Sequence, residues 1–194
     1  LRLADSSPAD LKSLIEKGVF QEVLVEVSRL GNFQPKRSAD SIIFKSAQQK
    51  ALEEIRSGFK EGKPVLLHGI TGSGKTEVYI QLINQVIAEG KQALFMLPEI
   101  ALTSQIINRL RTYFGNKVQV YHSRASEMER TEIWNKFVNF NGLDEDTYVV
   151  VGARSSLFLP LRNPGLVIVD EEHDYSFKQY DPAPRYQARD SAVM

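Results

Sequence analysis

The sequence predicts an α/β fold, a mainly parallel sheet flanked by helices and organised around a phosphate loop. Three observations carry that expectation. From about residue 44, helical stretches alternate with short aliphatic runs. Those runs lack the in-out alternation of a half-exposed strand, as strands buried on both faces do. One run leads straight into Gly69-Ile70-Thr71-Gly72-Ser73-Gly74-Lys75-Thr76. Strands separated by helices require crossover connections, and these give a parallel sheet covered on both sides.

Before that rhythm begins, Ser7-Pro8-Ala9-Asp10 offers helix-start chemistry ahead of residues 11–15, and Gly18 closes the helix. Residues 20–30 then alternate, with Val23, Val25 and Val27 on one side of a strand and Glu22, Leu24, Glu26 and Ser28 on the other. Residues 1–31 therefore read as the tail of a helix-plus-wing domain, and 32–43, containing Pro35, Lys36 and Arg37, as a linker. The α/β lobe occupies 44–194. Its strands are expected at 65–67, 93–97, 118–121, 148–151 and 166–169, and its helices near 46–60, 75–89, 103–114 and 126–139. Ile133, Trp134 and Phe137 are expected on the core face of the last helix.

Composition narrows the class without naming a function. The 24 Lys and Arg balance 24 Asp and Glu, so any contact with nucleic acid must come from local sites rather than a basic field. The absence of cysteine excludes disulfides and thiolate metal sites from this chain. No apolar run approaches the roughly 20 residues of a membrane span, and nothing at the N-terminus reads as a signal peptide. A soluble intracellular protein with no membrane partner is the expectation.

The sequence from Gly69 to Thr76 satisfies G-x-x-x-x-G-K-[ST] between an expected strand and an expected helix. Gly69, Gly72 and Gly74 let the backbone curl so that successive N–H groups, those of Thr71 and Ser73 included, face a phosphate, and the helix beginning near Lys75 adds its positive dipole end. Lys75 is placed to reach the β- and γ-phosphates of ATP, and Thr76 to put its hydroxyl on Mg²⁺. A merely structural turn needs no Lys-Thr pair.

Such a loop needs a second acidic site on another strand. Leu166-Val167-Ile168-Val169 runs into Asp170-Glu171-Glu172-His173. Asp170 is the candidate Mg²⁺ anchor, acting through a water, and Glu171 the candidate acceptor of the attacking water's proton. The competing reading is a strand end decorated with solvated charge. His173 is open between a structural role and one that relays the state of the γ-phosphate.

The phosphate loop with Asp-Glu-Glu-His forms the DExH pattern and resembles superfamily 2 helicases and translocases. Flanking text narrows the resemblance. Gly74-Lys75-Thr76-Glu77-Val78-Tyr79, Leu97-Pro98-Glu99-Ile100-Ala101-Leu102-Thr103, Gly152-Ala153-Arg154-Ser155-Ser156-Leu157-Phe158, Asp170 to Asp174 and Arg185-Tyr186-Gln187-Ala188-Arg189-Asp190 are together similar to the primosomal N-prime family of bacterial replication-restart DNA helicases. The resemblance covers residues 44–194. It implies the first RecA-like lobe of a 3′ to 5′ helicase that recognises stalled forks, with a winged-helix domain before it. It further implies a second RecA-like lobe, a C-terminal domain and a zinc-binding cysteine region in the remainder of such a parent. Forked and single-stranded DNA, replication-restart proteins and single-strand-binding proteins are the implied partners, in the bacterial cytoplasm at nucleoid forks.

Carried over by position, Gln48 resembles the adenine-reading glutamine, whose amide both donates and accepts; Gln49 beside it leaves the register open. Thr103, Arg154 and Ser155 resemble residues that touch the DNA backbone, chemistry their hydroxyls and guanidinium suit. Thr103 can equally serve as a helix cap. The stretch from Tyr175 to Tyr186, dense in aromatics and prolines, resembles the family's aromatic-rich loop coupling DNA to hydrolysis, with Lys178 and Arg185 toward phosphates and rings toward bases. Packing of Phe177 and Tyr186 against the lobe is the alternative. A self-contained phosphate-loop switch or kinase that does not act on DNA is the second functional class; the segment Pro98 to Thr103, which resembles the helicases' motif Ia and lies between the loop and Asp-Glu-Glu-His, favours the motor.

Overall fold

Four strands, β1 (Gln92–Met96), β2 (Val118–Tyr121), β3 (Val149–Gly152) and β4 (Pro164–Val169), form one sheet in the order β2-β3-β1-β4. Every pairing is parallel. The computed structural model describes residues 7–21, 30–70, 72–141 and 148–193, so residues 22–29 of the strand expected over 20–30, and Thr71 of the phosphate loop, lie outside the described residues. The helices are α1 (Pro8–Glu16), α2 (Ser46–Lys60), α3 (Lys75–Ala88), α4 (Ser104–Phe114), α5 (Glu127–Val138) and the short α6 (Ala188–Ser191). Helices α2 to α5 fall where the sequence places them.

Local chemistry sets several of these boundaries. Ser7 caps α1 by accepting from the Asp10 N–H while the Asp10 carboxylate accepts from the Ser7 N–H, a reciprocal box. Gly18, at φ +71°, follows as the helix's left-handed terminator. Ser126 and Glu129 repeat the capping box at the start of α5. Residues 32–43, read as linker from composition, are held by two helices: the Lys36 and Arg37 N–H groups both donate to the Thr112 carbonyl of α4, the Arg111 guanidinium sits 3.7 Å above the Phe33 ring, and Asp40 accepts from the Asn84 amide of α3.

The inner strands β1 and β3 are apolar on both sides because both of their sides are covered. By contrast β4, expected to be buried on both faces, lies at the sheet edge and alternates, with Leu166 and Ile168 buried and Val167 36% exposed. Ala93 and Phe95 of β1 face a core shared with Leu52 and Ile55 of α2, Ile80 and Ile83 of α3, and Leu110 of α4. Leu94 and Met96 face the other way, onto Ile133 and Phe137 of α5 with Phe177 and Ala188. Continuous burial along β1 and β3 follows.

Two further expectations are corrected. Residues 65–67 form no strand: they have no ladder partner among the described residues, and Leu66 is 73% exposed. An apolar run becomes a strand only where a neighbour takes up its N–H and C=O groups. Trp134 is 42% exposed rather than core. Ile133 and Phe137, four residues apart, share the inward face of α5, and Trp134 is rotated about 100° from Ile133 and about 60° from Phe137, to the flank of that face. Phe137→Ala should therefore lower unfolding stability by about 3 to 5 kcal/mol. Trp134→Ala should cost much less; urea denaturation of the two variants checks the order.

Candidate active site

The strand register brings the candidate segments to one edge of the sheet. Tyr121 pairs with Gly152, Gly152 with Met96 and Met96 with Val169, so the carboxyl ends of all four strands form one row. The chain leaving that row is His122 after β2, the turn from Ala153 to Ser156 after β3, the segment to Thr103 after β1, and Asp170 after β4. In an open parallel sheet this edge is where ligands bind. Gly152 makes the row possible: a Cβ there would stand 2.6 Å from both the Tyr121 carbonyl and the Ser156 Cβ.

The phosphate loop reaches this edge from the N-terminus of α3. Gly74 at φ +90° is the helix's N-cap, a conformation that other residues rarely adopt. A side chain at Gly74 would also collide with the Gln48 amide. Gln48 accepts from the Lys45 N–H at 2.8 Å and donates to the Gly74 carbonyl at 3.1 Å, tying the start of α2 to the loop. One N–H and one lone pair of that amide remain for a ligand. The Lys75 ammonium spans the loop and donates to the Gly69 carbonyl at 2.6 Å. Ser73 closes a turn on the Ile70 carbonyl, and Thr76 lies in the first turn of α3. Behind it, Glu77 pairs with Arg109 of α4.

The acidic turn meets α3 directly. The Tyr79 hydroxyl, one turn beyond Thr76, donates to Asp170 Oδ1 at 3.2 Å. Burial first, then the charge and hydrogen bond of Asp170, with Glu171 adding, hold the Tyr79 phenol well above the ordinary tyrosine range, so it stays the donor. The Asp170 N–H extends the ladder to the Met96 carbonyl. Glu171 then takes φ +51°, the one positive value at a non-glycine among the described residues. Left-handed backbone at a bulky residue costs about 1 to 3 kcal/mol and concentrates at functional turns. His173 Nε2 lies 3.8 Å from a Glu171 oxygen with its side chain largely exposed, and Glu172 pairs with Arg189 of α6 at 2.7 Å.

Along the same edge, Thr103 is the N-cap of α4, yet its hydroxyl makes no cap hydrogen bond and the residue is exposed. The cap reading is thus met in position but not in bonding. Ser155 is exposed in the 3-10 turn after β3. Arg154 is already engaged: its Nη1 donates to the Lys178 carbonyl at 2.8 Å and lies 3.5 Å from that of Ser176. Asp174 accepts from the Ser176 N–H, and that residue's hydrogen bonds hold its carboxyl below the usual range. The aromatic segment divides in two. Phe177 is fully buried and Tyr186 packs edge-on against Phe158 at 4.9 Å. Tyr175, 84% exposed, and Tyr180 face solvent with Lys178 above the Tyr180 ring and Arg185 exposed on the same loop. A Lys178–Gln187 bridge and the Gln179 N–H on the Tyr186 carbonyl close its base.

The residues present fit a magnesium nucleotide. Thr76 and Asp170 are hard oxygen donors joined through Tyr79, and the loop supplies a cationic Lys75 beside left-handed glycines. No three His, Asp or Glu residues converge as a metal cage among the described residues. Mg²⁺ needs no such cage, since phosphates and waters complete its octahedron. Sequence reasoning missed the roles of Tyr79 and Arg189. A signal for Tyr79 existed: it lies three residues after Thr76, on the same helix face. Nothing local announces the Arg189–Glu172 pair, which joins segments far apart in sequence.

Residues 45–190 match the family model for DEAD/DEAH box helicases. The chain is 42% identical over 193 residues to the replication restart protein PriA of Bacillus subtilis, covering 97% of this chain and 23% of that protein. It is 39% identical over 191 residues to replication restart protein PriA of Synechocystis, covering 97% of this chain and 22% of the relative. Against replication restart protein PriA of Rickettsia felis it is 47% identical over 149 residues, covering 77% and 22%. The chain thus spans under a quarter of the length of these curated relatives.

Proposed function

The chain belongs to the DEAD/DEAH box helicase family, and from that premise we propose that it is the ATP-binding motor lobe of a 3′ to 5′ DNA helicase. Its setting is replication restart, the role carried in its relatives' name, and stalled forks are the DNA on which this reading has it act. The observation that carries the reading is the meeting of the α3 N-terminus with the acidic end of β4, on the sheet edge that also presents Thr103, Ser155 and the aromatic loop.

The backbone N–H groups of Gly69, Thr71, Gly72, Ser73 and Gly74, with the Lys75 ammonium, bind the phosphates, and the spare amide capacity of Gln48 reads adenine. Thr76, and Asp170 through a water, would hold Mg²⁺, whose contribution would be to neutralise charge on the phosphate oxygens. Glu171 accepts the proton of the attacking water. Charge on the transferring phosphoryl group calls for an arginine from outside the loop, worth about 10³ to 10⁵ in rate, and a second RecA-like lobe of the parent supplies it. The chain alone should turn over poorly.

DNA lies along the edge, its backbone met by Thr103 and Ser155 and its single-stranded part by the exposed rings with Lys178 and Arg185. Arg154 and His173 couple that face to the nucleotide, Arg154 through the loop carbonyls and His173 beside Glu171. Residues 1–31 are the end of a winged-helix-like domain, 32–43 the connection and 44–194 the lobe. Zinc, fork choice, restart and single-strand-binding partners belong to the remainder of a parent acting in the bacterial cytoplasm. Among the described residues no helix is long and apolar enough to cross a membrane.

The test is ATP hydrolysis by this chain with and without forked DNA, beside a Mg-nucleotide titration. Binding with little turnover supports the motor lobe; brisk turnover indifferent to DNA overturns it. In a full-length parent, Lys178→Ala with Arg185→Ala should lower DNA-stimulated ATPase about 10-fold at moderate salt and spare basal turnover. Unchanged stimulation returns the loop to packing alone.

A further inference from the structure

Tyr79 lies in the core, 8% exposed, with its ring edge-on to Phe95 at 5.5 Å. Phenylalanine would fill that position equally well, so packing does not explain the hydroxyl. Its proton goes to Asp170 Oδ1. The other oxygen, Oδ2, has no protein partner among the described residues. The carboxylate is thereby held by one oxygen and presents the other. The hydroxyl belongs to the same helix that carries Thr76, one turn earlier. A single rigid element therefore supplies one cation ligand and fixes the direction of the second.

We propose that Tyr79 is a positioning residue for the cation site, its hydroxyl setting which way the Asp170 carboxylate faces and so how tightly the lobe holds Mg²⁺ with nucleotide. The proposal rests on the reading of Thr76 as a ligand of the cation and of Asp170 as its anchor through a water. Partners that orient a metal-binding group are worth roughly 10- to 100-fold in metal affinity. A carboxylate acting through a water belongs at the lower end of that span.

The experiment titrates a fluorescent ADP analogue into this chain, first in EDTA and then across a series of Mg²⁺ concentrations. The readout is the Mg²⁺ concentration giving half the gain in nucleotide affinity. Wild type, Tyr79→Phe, Asp170→Asn and the double variant are compared, with thermal midpoints recorded in parallel. Tyr79→Phe is expected to match wild type in EDTA and to need about 10-fold more Mg²⁺. Asp170→Asn should need still more, and Tyr79→Phe should add nothing to it. If Tyr79→Phe keeps the wild-type Mg²⁺ response while Asp170→Asn loses it, the hydroxyl is only structural and the proposal is overturned with the functional reading intact. If Asp170→Asn also responds as wild type, Asp170 is not the anchor, and the assignment of the cation site falls together with the proposal.

Discussion

Lys75→Ala is expected to remove Mg-ATP binding while leaving the chain folded. Among the described residues the ammonium makes one hydrogen bond, to the Gly69 carbonyl at the rim of the loop. Losing it from a partly exposed side chain should cost under about 1 kcal/mol of stability. With nucleotide bound, the same group faces two phosphates, and charge-assisted hydrogen bonds are worth about 1.5 to 3 kcal/mol each. Two of them correspond to roughly two to four powers of ten in affinity. The loop's N–H groups and the α3 N-terminus remain, so residual binding should be weak but dependent on phosphate. Calorimetric titration, with thermal midpoints to confirm folding, measures both. Equal affinity in wild type and Lys75→Ala would end the phosphate-loop assignment.

What the sequence disclosed about this site follows from how local each feature is. The loop from Gly69 to Thr76 and the aliphatic run ending in Asp170 are continuous motifs, and each was legible as text because its chemistry requires neighbouring residues. Helices α2 to α5 were legible for the same reason, since the period of each lies within one segment, as does the capping box of α5. Residues 65–67 misled because aliphatic composition reports burial preference, whereas a strand also needs a partner for its backbone. The bond from the Arg154 guanidinium to the Lys178 carbonyl is a pairing across 24 positions that no local pattern encodes. Phe177 and Tyr175 stand two residues apart in one aromatic stretch, and only the fold separates them into a core anchor and a solvent-facing ring. Tyr79 was within reach through its helical spacing from Thr76, but its partner is 91 positions away.

Glu171→Gln in a full-length parent is expected to spare nucleotide binding and stop hydrolysis. The amide matches the carboxylate in shape but cannot take a proton, and loss of a positioned base costs about 10²- to 10⁴-fold in rate. Binding should survive because the phosphates are held from the loop and α3 rather than from this turn. The backbone supplies a second, independent test. At φ +51°, Glu171 occupies a conformation that glycine adopts without steric cost. Glu171→Gly should therefore relieve strain of about 1 to 3 kcal/mol. Glycine's greater freedom in the unfolded chain gives back about 0.4 to 1 kcal/mol. The net expectation is a variant at least as stable as wild type and equally unable to hydrolyse ATP as Glu171→Gln. Thermal unfolding of this chain and ATPase assays of the parent decide it. A stabilised, inactive Glu171→Gly would mean that the turn holds its carboxylate at the expense of stability, as strained functional positions do. If Glu171→Gly were instead destabilised and Glu171→Gln still hydrolysed ATP, the left-handed turn would be serving the fold, and the base would have to be sought elsewhere on the same edge.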